Sequence, residues 1–162
     1  MNFTKAFTNK KEISEFKKNY SNSPLIPVGI ELPKLEKKYG KNNSFKIVSI
    51  GNLHKFKMYN IHIVKLMPKL LQINPKFTYE IYGEGELEHH IRKLITDLSL
   101  EGKVFLMGQV EYSKFSLVLE DAFLFVGSGT AIVESAALGI PSLIGIESTT
   151  EPITYGFLSD IN

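Results

Sequence analysis

Residues 122–144 read AFLFVGSGTAIVESAALGIPSLI: an apolar run, a glycine-broken turn, a segment of helical character and a second apolar run. An apolar run of that length, rich in Phe and Val, suits a strand covered on both faces. A strand that passes through a short turn into a helix and then a second strand is a βαβ crossover, which joins parallel strands with right-handed connections.

The same rhythm recurs upstream. Lys46–Ile50 (KIVSI), Thr78–Tyr82 (TYEIY) and Lys103–Met107 (KVFLM) are β-rich runs, joined by Ala122–Val126 and Pro141–Ile144. Between them, Ile61, Val64, Leu66, Leu70 and Leu71 form one helical stripe, and Ile91, Leu94, Ile95 and Leu98 form another. The fold class that follows is α/β: a doubly wound, parallel, Rossmann-like sheet. Its strands are expected to be buried on both faces.

The ends of the chain follow a different pattern. Residues 11–20 (KEISEFKKNY) suit an exposed helix, residues 21–33 are extended and carry three prolines, and residues 34–43 are a polar, basic linker. After the fifth strand no closing helix is expected. The chain thus divides into residues 1–44, a remnant or linker from a preceding domain, and residues 45–162, a Rossmann-like domain that is truncated at its C-terminal side.

Composition narrows the function classes. With 162 residues, 43% hydrophobic and 22% charged, the chain is of one-domain size and ordinary globular make-up. There are no cysteines, which removes disulfides, thiolate nucleophiles and Cys zinc sites. A net charge of +2 with interleaved signs argues against nucleic acid as a partner. No apolar run approaches the ~18 residues that span a bilayer, and the N-terminus lacks a signal core, so a cytoplasmic location is expected.

In open parallel sheets, ligands bind beyond the carboxyl ends of the strands, where the strand order reverses. Two of these loops carry chemistry. After the first strand, Gly51 admits close backbone approach and Lys57 brings a positive charge to the start of the next helix. After the fourth, Gly127-Ser128-Gly129-Thr130 opens a helix whose free N–H groups and dipole favour an anion. Glu134, four residues past Thr130, lies one turn deeper on the same face, where a carboxylate accepts from a ribose diol. Together they describe a nucleoside diphosphate site.

Each element alone has a plainer reading. Gly127 and Gly129 suit a capping turn, Lys57 a solvated helix start, and Glu134 a surface carboxylate. Gly83-Glu84-Gly85-Glu86 reads as a tight strand-to-helix turn and lacks a dinucleotide fingerprint. The four histidines show no metal-ligand spacing and there is no Asp-x-Asp pair, so no metal is expected.

In order and spacing, IVSIGNLHKFK, YEIYGEGELEHHIRKL, KVFLMGQV and GSGTAIVESAALGIPSL resemble the C-terminal domain of retaining glycosyltransferases of the GT-B fold, family 4. LIPVGIELP is similar to the crossover leaving their acceptor domain. The resemblance implies a nucleoside-diphosphate-sugar donor, held at Gly51, Asn52 and Lys57, at Gly108, Gln109 and Val110 beside the base, and at Ser128, Gly129, Thr130 and Glu134. Lys57 and Glu134 would be the catalytic pair, without a metal or other cofactor. Asn52 stands at an arginine position, Met58 at a glycine, and Val126 where many relatives carry a second, sugar-contacting glutamate.

The same resemblance implies transfer of a sugar to an acceptor hydroxyl in bacterial surface polysaccharide synthesis. The acceptor would come on another domain or protein, with peripheral membrane association through that partner. On this view the isolated chain binds donor and turns over poorly. Glu147, Glu151 and Tyr155 follow the fifth strand within reach of a donor sugar. Three alternatives stay open: a sugar-nucleotide 2-epimerase, a donor-binding subunit of a two-chain enzyme, and a non-catalytic remnant.

Overall fold

The computed structural model describes Ile30 and residues 44–160. The helix expected at residues 11–20, and nearly all of the extended stretch and linker, lie outside the described residues.

A six-stranded sheet forms the centre, in the order β3-β2-β1-β4-β5-β6. The strands are β1 (Lys46–Ile50), β2 (Thr78–Tyr82), β3 (Val104–Gly108), β4 (Ala122–Gly127), β5 (Ser142–Gly145) and β6 (Thr154–Phe157). The first five are mutually parallel, and β6 runs antiparallel to β5. Helices α1 (Tyr59–Ile73), α2 (Glu88–Asp97), α3 (Phe115–Val118) and α4 (Gly129–Ala137) connect them. The doubly wound α/β fold is therefore present.

Successive residues of a strand face opposite ways, and β1 divides the core accordingly. Ile47 joins Tyr79 and Ile81 against Ile61, Val64 and Met67 of α1 and Ile91 and Ile95 of α2. Val48 joins Phe125 on the other face, against Phe115, Leu119, Ile132 and Leu138. Each fully buried side chain of this size contributes roughly 1.5–3 kcal/mol. So α1 and α2 cover one face, and α3 and α4 the other.

At the amino end of β1, Lys46 fastens the two halves. Its Nζ donates to Val118 O at 2.9 Å, pairs with Asp121, and lies 3.7 Å from Glu80. Only 13% of its side chain is exposed.

Several expectations are corrected. Leu66 is exposed, because it stands some 200° round the helix from Val64, whereas Asn60, Ile63 and Met67 fill the buried face. Leu98 is exposed because α2 ends at Asp97. β3 is an edge strand covered on one face only, leaving Phe105 and Met107 exposed. Beyond β5 the chain turns back as β6, held by Thr154 Oγ1 donating to Ile144 O at 2.7 Å, and ends the described region in a 3₁₀ turn at Leu158–Asp160.

Candidate functional site

The strand order places the two chemistry-bearing loops side by side. β1 leads into α1 on one face, and its parallel neighbour β4 leads into α4 on the other. That divergence opens a crevice at the carboxyl ends of β1 and β4, the reversal point of the sheet.

On the β1 side, Gly51 sits at φ +145°, and a Cβ built there would lie 3.3 Å from Lys57 Nζ. The lysine therefore folds back over the end of β1. Lys57 itself lies just before α1, which starts two residues later at Tyr59. The Lys57 side chain has no carboxylate at ion-pair distance among the described residues. Asn52, beside it, is exposed.

On the β4 side, Ser128 is the extended residue before α4 (φ −139°, ψ 174°) and makes no side-chain cap to the helix. The first-turn N–H groups of α4 therefore lack a side-chain partner from Ser128. Gly129 (φ +69°) and Thr130 are exposed at this helix tip. Glu134 lies on the same face, half-buried, and its carboxylate has no hydrogen-bond or ion-pair partner among the described residues.

The Ser128 hydroxyl is committed elsewhere. It donates to Glu147 Oε1 at 2.7 Å and lies 3.4 Å from Tyr59 Oη. Burial raises the Tyr59 phenol above its usual range; the Ser128 hydrogen bond opposes this and the Glu147 charge adds to it. Glu147 belongs to the β5–β6 loop, which is tied over the β1 loop by Ser148 N–H donating to Phe56 O at 2.7 Å. His62 Nε2 meets Thr150 O at 3.1 Å. Of the loop residues expected near a donor, Glu147 reaches the α4 tip; Glu151 is exposed, and Tyr155 lies within β6.

The loops after β1, β2 and β3 interlock. Gly51 N–H donates to Tyr82 O, Leu53 N–H to Glu84 O, and Gly83 N–H to Gly108 O, at 2.9, 2.9 and 2.7 Å. A Cβ at Gly83 would meet the Gly51 carbonyl oxygen at 2.1 Å, and one at Gly85 the Leu53 carbonyl oxygen at 2.7 Å. The GEGE segment is thus a close backbone seam as well as a turn. Gly108, Gln109 and Val110 continue from β3, two strand spacings (~10 Å) from β1. Gln109 Nε2 donates to Glu84 Oε2 at 3.2 Å.

The structure therefore gathers Gly51, Lys57, Ser128, Gly129 and Thr130 at one crevice, with Glu134 one turn in and Gly108–Val110 further along the rim. Sequence reasoning missed Tyr59, whose ring packs so tightly on Gly145 that a Cβ there would lie 2.5 Å from it. Its place two residues after Lys57 was the available signal. A groove lined by Gly139, Ile140, Phe157 and Leu158 lies at the amino end of β5, apart from this site. Among the described residues no helix is long and apolar enough to cross a membrane.

Comparison with known proteins matches residues 33–149 to the family described as glycosyl transferases group 1. An uncharacterized glycosyltransferase of Methanocaldococcus jannaschii is 27% identical over 159 residues, covering 89% of this chain and 39% of that protein. The GtfA subunit of a UDP-N-acetylglucosamine–peptide N-acetylglucosaminyltransferase from Streptococcus agalactiae is 28% identical over 148 residues, covering 83% and 28%. Among solved structures, a TarM point mutant from S. aureus, in complex with fondaparinux, alpha-GlcNAc-glycerol and UDP, superposes with a TM-score of 0.67 at 19% identity, covering 84% and 28%. This last likeness is one of fold. The chain spans well under half the length of each of these proteins.

Proposed function

Because this chain belongs to the glycosyl transferases group 1 family, we propose that it is the donor-binding part of a retaining glycosyltransferase acting on a nucleoside-diphosphate sugar. One observation supports this reading: Lys57 and the α4 tip follow neighbouring parallel strands, at the same end of the sheet.

In the proposed reaction the bond from the anomeric carbon to the diphosphate oxygen breaks, and the diphosphate leaves with the electron pair. A bond forms from the same carbon to the acceptor oxygen, whose proton passes to the departing diphosphate. The difficult step is the charge growing on the diphosphate. Lys57 Nζ and the N–H groups of Gly129 and Thr130 meet that charge with dipoles already in place, so the reading calls for no metal ion. Glu134 accepts from the ribose hydroxyls, and the Gly108–Val110 backbone meets the base.

The acceptor is assigned to a second domain or separate chain, in keeping with the larger size of the relatives. We place that acceptor among surface polysaccharides or glycoproteins. Calorimetric titration with UDP, GDP and their sugars tests the reading. Binding of at least one is expected, and Lys57→Ala is expected to weaken it by about tenfold or more, as befits loss of a hydrogen bond to a charged group. Glu134→Ala should weaken nucleosides bearing both ribose hydroxyls and leave 2′-deoxy analogues little changed. No binding by any nucleotide overturns it.

A further inference from the structure

At the carboxyl ends of β1 and β4, three buried side chains link the two loops. Ser49 Oγ donates to Val126 O at 2.7 Å and lies 2.8 Å from Tyr79 Oη. The Tyr79 hydroxyl donates to Asn60 Oδ1 at 2.9 Å. Asn60 in turn reaches the Lys57 carbonyl through its backbone N–H at 3.4 Å and through Nδ2 at a long 3.5 Å. Ser49, Asn60 and Tyr79 are 3%, 2% and 0% exposed, so no member exchanges its partner for bulk water.

One end of this relay is the carbonyl of Lys57. The other is the carbonyl of Val126, directly before Gly127 and Ser128. Val126 O and Asn60 Oδ1 only accept, so they take both hydroxyl protons and the Ser49–Tyr79 approach has none of its own. The relay holds no spare donor, and removing either hydroxyl leaves a buried acceptor unsatisfied. A polar chain fully buried in an otherwise apolar layer is costly unless every member is satisfied, and when satisfied it fixes one arrangement. The sheet alone aligns β1 with β4, yet it does not fix where α1 begins. The relay ties the first turn of α1 to β4 through β2 and β1.

We propose that Tyr79, with Ser49 and Asn60, is a positioning residue that sets the separation of the Lys57 loop from the Gly127–Thr130 loop. This rests on the donor-site reading above, since it is through those loops that Tyr79 would act on nucleotide affinity.

The test compares Tyr79→Phe and Ser49→Ala with Ile91→Val, a control that removes a buried methyl group from the same core layer without touching the relay. UDP affinity is measured by calorimetry well below each variant's melting temperature. Amide exchange of the ligand-free proteins is followed at Asn60 and across Gly127–Thr130. Both relay variants are expected to weaken UDP binding on the order of tenfold and to speed exchange at both loops together, while Ile91→Val does neither. Ser49→Ala keeps the test available should Tyr79→Phe fail to fold. Unchanged exchange in the relay variants, or exchange rising at one loop alone, overturns the proposal, as does wild-type UDP affinity in those variants. GDP replaces UDP as the probe if the unmutated chain binds only GDP. Absence of binding by UDP, GDP and their sugars alike sinks the donor-site reading instead, and the exchange data then decide the relay by themselves.

Discussion

Ser128 donates its hydroxyl proton to the Glu147 carboxylate at 2.7 Å, so the residue preceding α4 holds an anion from the β5–β6 loop instead of capping its own helix. Glu147 thereby sits at a helix tip that favours negative charge, and it would compete there with an incoming diphosphate. Glu147→Gln removes the charge and keeps the shape. Affinity for UDP alone is expected to rise about two- to fivefold, or ~0.3–1 kcal/mol, the usual worth of an anion at such a tip. Calorimetry checks it; a fall in affinity would count against competition.

Gly83→Ala places a Cβ where only 2.1 Å separates it from the Gly51 carbonyl oxygen, at a backbone φ of +134°. Neither atom belongs to a flexible side-chain end, so the seam between the loops must part. A loss of about 1–3 kcal/mol or more is expected, with a melting temperature lower by several degrees. Gly102→Ala is the comparison: it shares a positive φ (+75°) but meets nothing within 4 Å. Equal losses in the two variants would show that conformation alone matters.

Tyr79 and Tyr82 both hold their phenolic protons more tightly in the folded chain, burial being the largest cause in each. The Ser49 hydrogen bond opposes the effect at Tyr79, whereas the hydrogen bond to Glu80 reinforces it at Tyr82. A group whose proton is held more tightly when folded stabilises fully below its unfolded value, and that contribution is lost as pH rises through the folded value. Stability should therefore fall as pH climbs past about 10. Urea midpoints from about pH 8 to about pH 11 check this, with Tyr79→Phe expected to lose midpoint less steeply.

Lys46→Met breaks a pairing that joins β1 to the segment before β4. With its Nζ gone, Val118 O loses its donor and Asp121 its cation, and a cost of about 1–3 kcal/mol is expected from the unmet partners. Asp121 is half exposed, which keeps the ionic share of that loss small. Thermal denaturation measures it, and a wild-type melting temperature would show that the pairing contributes nothing.

The sequence disclosed what depends on local pattern. KIVSI and TYEIY became β1 and β2 with their expected bounds, and the Gly127–Thr130 turn stands at the end of β4, because apolar runs and glycine turns are short-range signals. It disclosed less where tertiary partners decide. Asn60 looks like a solvated polar residue, yet it occupies the buried face of α1 because Tyr79 gives it a partner from another strand. Leu66 shows the converse, an apolar residue left outside the stripe by helix phase. TYGF gave no strand signal, since three of its four residues are exposed and its pairing depends on β5. Gly83 was readable as a turn, but not as the point where two loop backbones touch.

The order of strands also dictates the order of assembly. β1 finds β2 on one side soon after it is made, but its other neighbour, β4, lies 77 residues away at the Ser49–Val126 contact. During synthesis the central strand keeps one flank unpaired until residues 122–127 have left the ribosome. Such distant parallel pairing is slow, and an apolar edge left waiting invites intermolecular association. A nascent chain stalled before β4 is therefore the form most in need of a chaperone.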